Sequence, residues 1–279
     1  MRSILPLLLL IVSAGQSAPP PAPVQPQPGQ ALVNRALAAE LRAAQDASHP
    51  MRYRLRKTSP RLTSAKEIVE TQEGAVARLV AIDDKPLTAV DEQKEQARLD
   101  TLLSDPGLQR HRKQSEDQDT DRAMKVLRAL PEAFVYQFAS LDANGLAKFT
   151  FKPNPAFSPP DLETQSLTQM AGEIWIDTVR ERVTHLDGHL IQDVDFGWGI
   201  LGRLDKGGWI AMDQTEVAAG QWRIRRFQMA MSGRVLFKTK TFDTTEDETE
   251  FTPVPPGIGY KQAIALLRAG DPASGTGSR

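Results

Sequence analysis

Sixteen of the seventeen aromatic residues lie at or after Phe134, and only Tyr53 precedes them. From Glu132 onward the apolar pattern also changes from a helical period to a period of two. Together these features constrain the fold more than any other. Large side chains that pack well on pleated surfaces collect in the C-terminal half, including all four tryptophans, Trp175, Trp198, Trp209 and Trp222. A sheet must therefore carry most of the large apolar side chains. The helices, built mainly of Leu, Val and Ala, must cover it.

In the C-terminal half, strands are predicted at 133–140 and 146–152, around the turn Asp142-Ala143-Asn144-Gly145. A proline-rich crossing at 153–161 follows. Further strands are expected at 169–178, 182–186, 189–196, 209–216, 221–232, 234–241 and 248–253. Asp187-Gly188, Lys206-Gly207-Gly208, Ala219-Gly220 and Ser232-Gly233 are read as the turns between them, which makes an antiparallel meander. Glu246-Asp247-Glu248 reads as an exposed turn that protects a sheet edge.

In the N-terminal half, residues 31–47 carry Val33, Leu37, Leu41 and Ala44 at helical spacing. His49-Pro50 ends that helix. Strands at 51–57, 64–71 and 75–82 precede a turn cluster at 83–86. Thr88 is expected to cap a helix over 89–104. Asp105-Pro106 reads as the cap and first-turn proline of a second helix reaching Leu130. That helix is very polar over 109–122, and Met124, Val126, Leu127 and Leu130 form its apolar face. A short helix at 260–269 closes the fold.

The two ends read differently. Arg2, a nine-residue apolar run at 4–12, and the small residues Ser13, Ala14, Gly15 and Ser17 predict a secretory signal peptide over 1–17. Nine residues are too few to span a bilayer, which takes about 20 in a helix. Residues 18–30 hold six prolines and read as an extended linker. The stretch 271–279 is small and polar and reads as a disordered tail. The expected product is one folded domain over 31–270, exported to the periplasm, soluble and monomeric, with no transmembrane segment.

Composition removes several functions. The chain has 34 Lys+Arg against 35 Asp+Glu, so it lacks the basic excess that a nucleic-acid partner would require. With no cysteine there is no thiol nucleophile, disulfide, iron–sulfur cluster, cysteine zinc site or lipidated N-terminal cysteine. No GxSxG and no triad order occur among the four histidines, so the chain is read as non-catalytic.

Three motifs fit poorly with the sites they suggest. Gly197-Trp198-Gly199-Ile200-Leu201-Gly202 spells GxGxxG, but a turn into another strand is expected after it, where a dinucleotide site requires a helix. No cofactor is assigned. His185 and His189 flank the expected Asp187-Gly188 turn and should point to opposite faces, which gives no joint metal site. Asp117, Asp119 and Asp121 begin like a calcium loop, but Arg122 and Arg128 occupy the positions that need glycine and glutamate.

The remaining signal is bulk apolar chemistry. Trp209-Ile210-Ala211-Met212 and the run Trp222, Ile224, Phe227, Met229, Met231, Val235, Phe237 could line a concave face suited to an acyl chain. Packing on the helices as filled core is the usual fate of such residues, and the sequence alone favours it. The lining candidates are Trp175, Phe196, Trp209, Met212, Trp222, Phe227, Met229 and Phe237. Strict alternation cannot put all of them on one face.

The order GEIWID at 172–177, HLDGHL at 185–190, GQWRIRRFQM at 220–229 and SGRVLFKTKT at 232–241 resembles the periplasmic lipoprotein-carrier superfamily, the LolA/LolB-like and RseB-like proteins. The resemblance implies an α+β fold: a curved antiparallel sheet, or open half-barrel, whose concave face is covered by an N-terminal helix and by helices inserted at 88–130. It also implies a hydrophobic cavity for a lipid or an acylated, lipoprotein-type partner. The cavity arginine of those carriers is not assigned among Arg223, Arg225 and Arg226. An envelope sensor or scaffold whose concave face is filled by its own helices is the alternative, and an enzyme the third reading.

Overall fold

The computed structural model describes residues 28–196, 202–235 and 238–270. The expected signal peptide, the linker up to residue 27, the tail at 271–279, Trp198 and Phe237 lie outside them. The first helix, α1 (Pro28–Gln45), starts three residues earlier than expected. Its first residue is a proline, which has the backbone angle of a helix and no N–H to leave unpaired there.

A meander follows: β1 (Met51–Ser59), β2 (Leu62–Val69), β3 (Val76–Ile82) and the two-residue β4 (Lys85–Pro86). Next come α2 (Ala89–Ser104) and α3 (Pro106–Ala133). Both start as expected: the Thr88 side chain accepts from Asp91 N, and Asp105 accepts from Gly107 N and Leu108 N. α3 runs past Leu130 and through Pro131. Its last carbonyls find partners, since the Tyr136 hydroxyl donates to Leu130 O and Asn154 donates to Glu132 O and Ala133 O.

The second meander contains β5 (Phe134–Leu141), β6 (Leu146–Pro153), β7 (Met170–Asp177) and β8 (Arg182–Leu190). It continues with β9 (Val194–Phe196), β10 (Gly202–Leu204), β11 (Trp209–Ala218), β12 (Gln221–Val235) and β13 (Lys238–Pro253). The one-turn α4 (Leu162–Gln165) precedes β7, and α5 (Tyr260–Ala269) ends the chain's described part. Among the described residues the thirteen strands form one open antiparallel sheet, ordered β4-β3-β2-β1-β13-β12-β11-β8-β7-β6-β5, with β9 and β10 beside β12. This is the expected α+β architecture with a curved, unclosed sheet. Extra residues in one strand of several pairs supply local bends.

The meanders join where β1 pairs with β13, from Met51 opposite Pro253 to Thr58 opposite Thr245. Lys57 meets Glu246 at 2.6 Å across this seam, and Arg56 lies 3.9 Å from Asp247.

Three expected turns are strand instead. Asp187-Gly188 lies inside β8, where Gly188 pairs with Gly172 on one side and Ile210 on the other. The backbones pass so closely that a Cβ on Gly172 would sit 2.0 Å from Asp187 O. Glycine marks strand proximity here, not a reversal. Ser232-Gly233 lies inside β12, and a Cβ on Gly233 would meet Arg203 O at 2.2 Å. Glu246-Asp247-Glu248 is central β13, paired on both sides over Glu246 and Asp247.

Two apolar cores result. α1 contributes Val33, Ala36 and Leu37 to the first, against Phe149, Ile174, Ile176 and Val183 of β6–β8. The second joins β2 and β3 (Val69, Val76) to α2 (Leu99, Leu102) and α5 (Ile264, Leu267). The inserted helices therefore divide their work. α2 packs with α5, and α3 faces the concave side of the sheet. No helix among the described residues is long and apolar enough to cross a membrane.

Candidate functional site

Between the concave sheet and the helices α1 and α3 lies a chamber of about 940 Å³. Small-molecule sites span roughly 300–1,000 Å³. Leu37 and Ala44 of α1 and Ala123, Val126, Leu127 and Leu130 of α3 form the roof. Leu186 of β8, Ile210 and Met212 of β11, and Ile224, Phe227 and Met231 of β12 form the floor.

Of the residues singled out from sequence, Met212, Trp222 and Phe227 line this chamber. Trp175 alternates with buried Ile174 and Ile176, so it faces the other side of the sheet, under the Lys148 ammonium at 3.7 Å. Trp209 is on that outer side too, 38% exposed and opposite His189. Phe196 packs against the first core without reaching the chamber. Met229 pairs with Ile210 but is not part of the lining. Phe237 lies outside the described residues.

A bulge explains how β12 supplies lining residues of both parities. Asp213 pairs with Arg226 and Gln214 with Ile224, so Arg225 is the extra residue. It shifts the alternation, and Trp222 and Ile224 before it share a face with Phe227 and Met231 after it.

The lining changes character across the sheet order. At the β5–β7 side it is apolar, with Phe134, Phe151 and Met170. At the β1–β2–β13 side it carries Tyr53, Glu70 and Glu248, with Arg223 of β12 and Glu116 of α3. Sequence reasoning passed over this polar end because Glu248 sits in an acidic run that resembles an exposed turn. The basic alternation Arg52, Arg54, Arg56 in β1 is the signal that could have paired it with an acidic strand.

Most of these groups hold one another in place. Glu70 accepts from Met51 N at 2.9 Å and lies 3.6 Å from Arg223, whose guanidinium donates to His49 O. Glu116 accepts from Ala75 N. Arg182 makes two 2.8 Å hydrogen bonds to Glu40 of α1 and lies 5.4 Å from the Trp222 ring centre. Glu248 has no hydrogen-bond or ion-pair partner among the described residues. Burial pushes its carboxyl up to about 7, Glu246 and Glu70 add to the rise, and Arg223 opposes it. Burial also raises Glu70, against the pull of Arg223. The Tyr53 phenol is raised well above its ordinary range, first by burial and then by Glu248.

The rise at Glu248 has a stability consequence. Its folded pKa, about 7, lies above the ordinary 4.5, so the folded state holds the proton longer. Stability from this group is full below about pH 4.5 and is lost as pH rises to about 7. Glu248→Gln is expected to match the parent at pH 4 and to exceed it by about 1–3 kcal/mol at pH 8 in urea unfolding. A constant difference across pH would contradict this.

The other motif residues are not assembled into sites. Asp117, Asp119 and Asp121 lie in α3, not in a loop. β9 and β10 pair antiparallel around the GxGxxG stretch, Phe196 opposite Gly202, so a strand follows where a dinucleotide site needs a helix. Residues 197–201 themselves lie outside the described residues. His185 and His189 share the outer face of continuous β8, correcting the expected opposite orientation. Strand rise puts them about 13 Å apart. His185 instead has Asp213 at 2.6 Å and Asp187 at 3.2 Å.

Fold and chamber together define an open antiparallel half-barrel with a helix-roofed pocket, apolar at one side and polar at the other. Comparison with family models, with curated proteins and with solved structures returns no match.

Proposed function

We propose that this protein is a non-catalytic carrier that binds a lipid or an acylated partner in the chamber, as the resemblance to the lipoprotein carriers implies. The observation that carries the proposal is the 940 Å³ of space between α1, α3 and the concave sheet, with a continuous apolar wall. A scaffold whose helices fill the concave face would have no such space. Each methylene moved from water into the chamber contributes about 0.8 kcal/mol. The roof would have to shift to admit a chain, so binding competes with the packing of α1 and α3 on the sheet. In the same proposal the protein works in the periplasm, as a monomer, after removal of residues 1–17.

Native mass spectrometry of protein purified from its own cells is expected to show lipid-mass adducts. Phenylnaphthylamine should fluoresce on binding, and dodecanol should displace it. Leu127→Trp, which fills the chamber from α3, and Phe227→Asp, which introduces a carboxylate into its floor, are each expected to weaken probe binding at least about tenfold with the circular dichroism unchanged. A parent protein that carries no lipid and takes up no probe would sink the proposal.

A further inference from the structure

We infer that the β1–β2–β13 side of the chamber is a headgroup site, selective for amphiphiles with an ammonium on an apolar chain, and that Glu248 is its acceptor. The inference rests on the acyl-binding reading of the same chamber and adds which head the chain carries.

The charge inventory of the lining leads there. Five carboxylates (Glu40, Asp46, Glu70, Glu116, Glu248) outnumber three cations (Lys113, Arg182, Arg223). All three cations are already engaged: Lys113 with Asp117, Arg182 with Glu40, and Arg223 with Glu70 and His49 O. Each therefore has its charge already compensated, at least in part, before any anionic head arrives. Four of the carboxylates are also engaged, Glu40 by Arg182, Asp46 by Ser48, Glu70 by Met51 N and Glu116 by Ala75 N. Glu248 alone is left with lone pairs toward the chamber and no donor among the described residues. Glu248 is half-buried, so its carboxylate is partly desolvated with no protein donor, and a bound cation relieves that cost. The apolar wall from Phe227 to Phe134 then receives the tail.

The groups facing Glu248 set its response to pH. Tyr53 of β1, Glu70 just after β2, Arg223 of β12 and Glu246 of its own strand surround it, with Glu116 of α3 acting on Tyr53 and Glu70. Burial first, and then the carboxylates of Glu246 and Glu70 against the single Arg223 guanidinium, push Glu248 up to about 7. An alkylammonium, like a lysine side chain, stays protonated through this range. If it binds only ionised Glu248, its affinity follows the ionised fraction and rises about tenfold from pH 6 to pH 8.

The test is probe displacement from the full chain by dodecylamine, dodecanol and dodecanoate at pH 6 and pH 8. Dodecylamine is expected to bind about tenfold tighter at pH 8, dodecanol to change less than about twofold, and dodecanoate to weaken. In Glu248→Gln the rise for dodecylamine should vanish and its advantage over dodecanol should close. The parent's own pH response needs no substitution and serves if the variant misfolds. Equal binding of dodecylamine and dodecanol at both pH values overturns the headgroup inference and leaves the acyl reading standing. Failure of dodecanol to bind the parent overturns the acyl reading and the inference with it.

Discussion

Glu40→Ala is expected to destabilise the protein by about 3 kcal/mol or more, measured as a lowered urea midpoint with an unchanged slope. Glu40 of α1 and Arg182 of β8 are only 13% and 12% exposed at the side chain. The two parallel hydrogen bonds fix both groups, and Glu40 also accepts from Val183 N at 2.9 Å. Truncation strands a guanidinium and a backbone N–H where water reaches them poorly. A second pair, Arg35 with Glu181, also ties α1 to the β7–β8 connection, but at 55% and 38% exposure. Arg35→Ala should cost less than about 1 kcal/mol. Equal costs for the two substitutions would show that burial does not decide their worth. Because α1 roofs the chamber, Glu40→Ala should also speed hydrogen exchange in α1 before the sheet opens.

Gly172→Ala should be at least as damaging, about 3 kcal/mol or more. The new methyl would overlap the Asp187 carbonyl of the neighbouring strand. The atoms in the way are backbone, so no rotamer change relieves the clash. β7 and β8 must separate, next to Ile174, which is fully buried in the first core. A variant with parental stability would mean that the two strands are not held at this spacing.

Much of the architecture was legible because local chemistry and global fold agree. Thr88 and Asp105 cap the helices they were expected to cap, and the period-two alternation after Glu132 does become sheet. The failures share one cause. Asp187-Gly188, Ser232-Gly233 and Glu246–Glu248 have the composition of turns, yet all three are inside long strands. Their roles depend on neighbours distant in sequence: Gly172 opposite Gly188, Arg203 against Gly233, Lys57 against Glu246. The chamber floor was half legible for a related reason. Met212, Trp222 and Phe227 were found by their chemistry, but the parity slip at Arg225 depends on pairing with β11 and has no signature of its own. Glu248, which lines the chamber, has no signature in the sequence that separates it from its acidic neighbours.

The seam between β1 and β13 has a further consequence, for assembly. Its partners lie about two hundred residues apart, so closing it carries the entropy cost of a long intervening loop. Until β13 arrives, β1 presents an open edge to any passing strand. With Arg52, Arg54, Arg56 and Lys57, β1 repels a second β1. With Glu246, Asp247, Glu248 and Glu250, β13 repels a second β13. Each strand is thus guarded against its own copy and attracted to the other. The charge that opposes pairing of like edges also selects the complementary strand for closing.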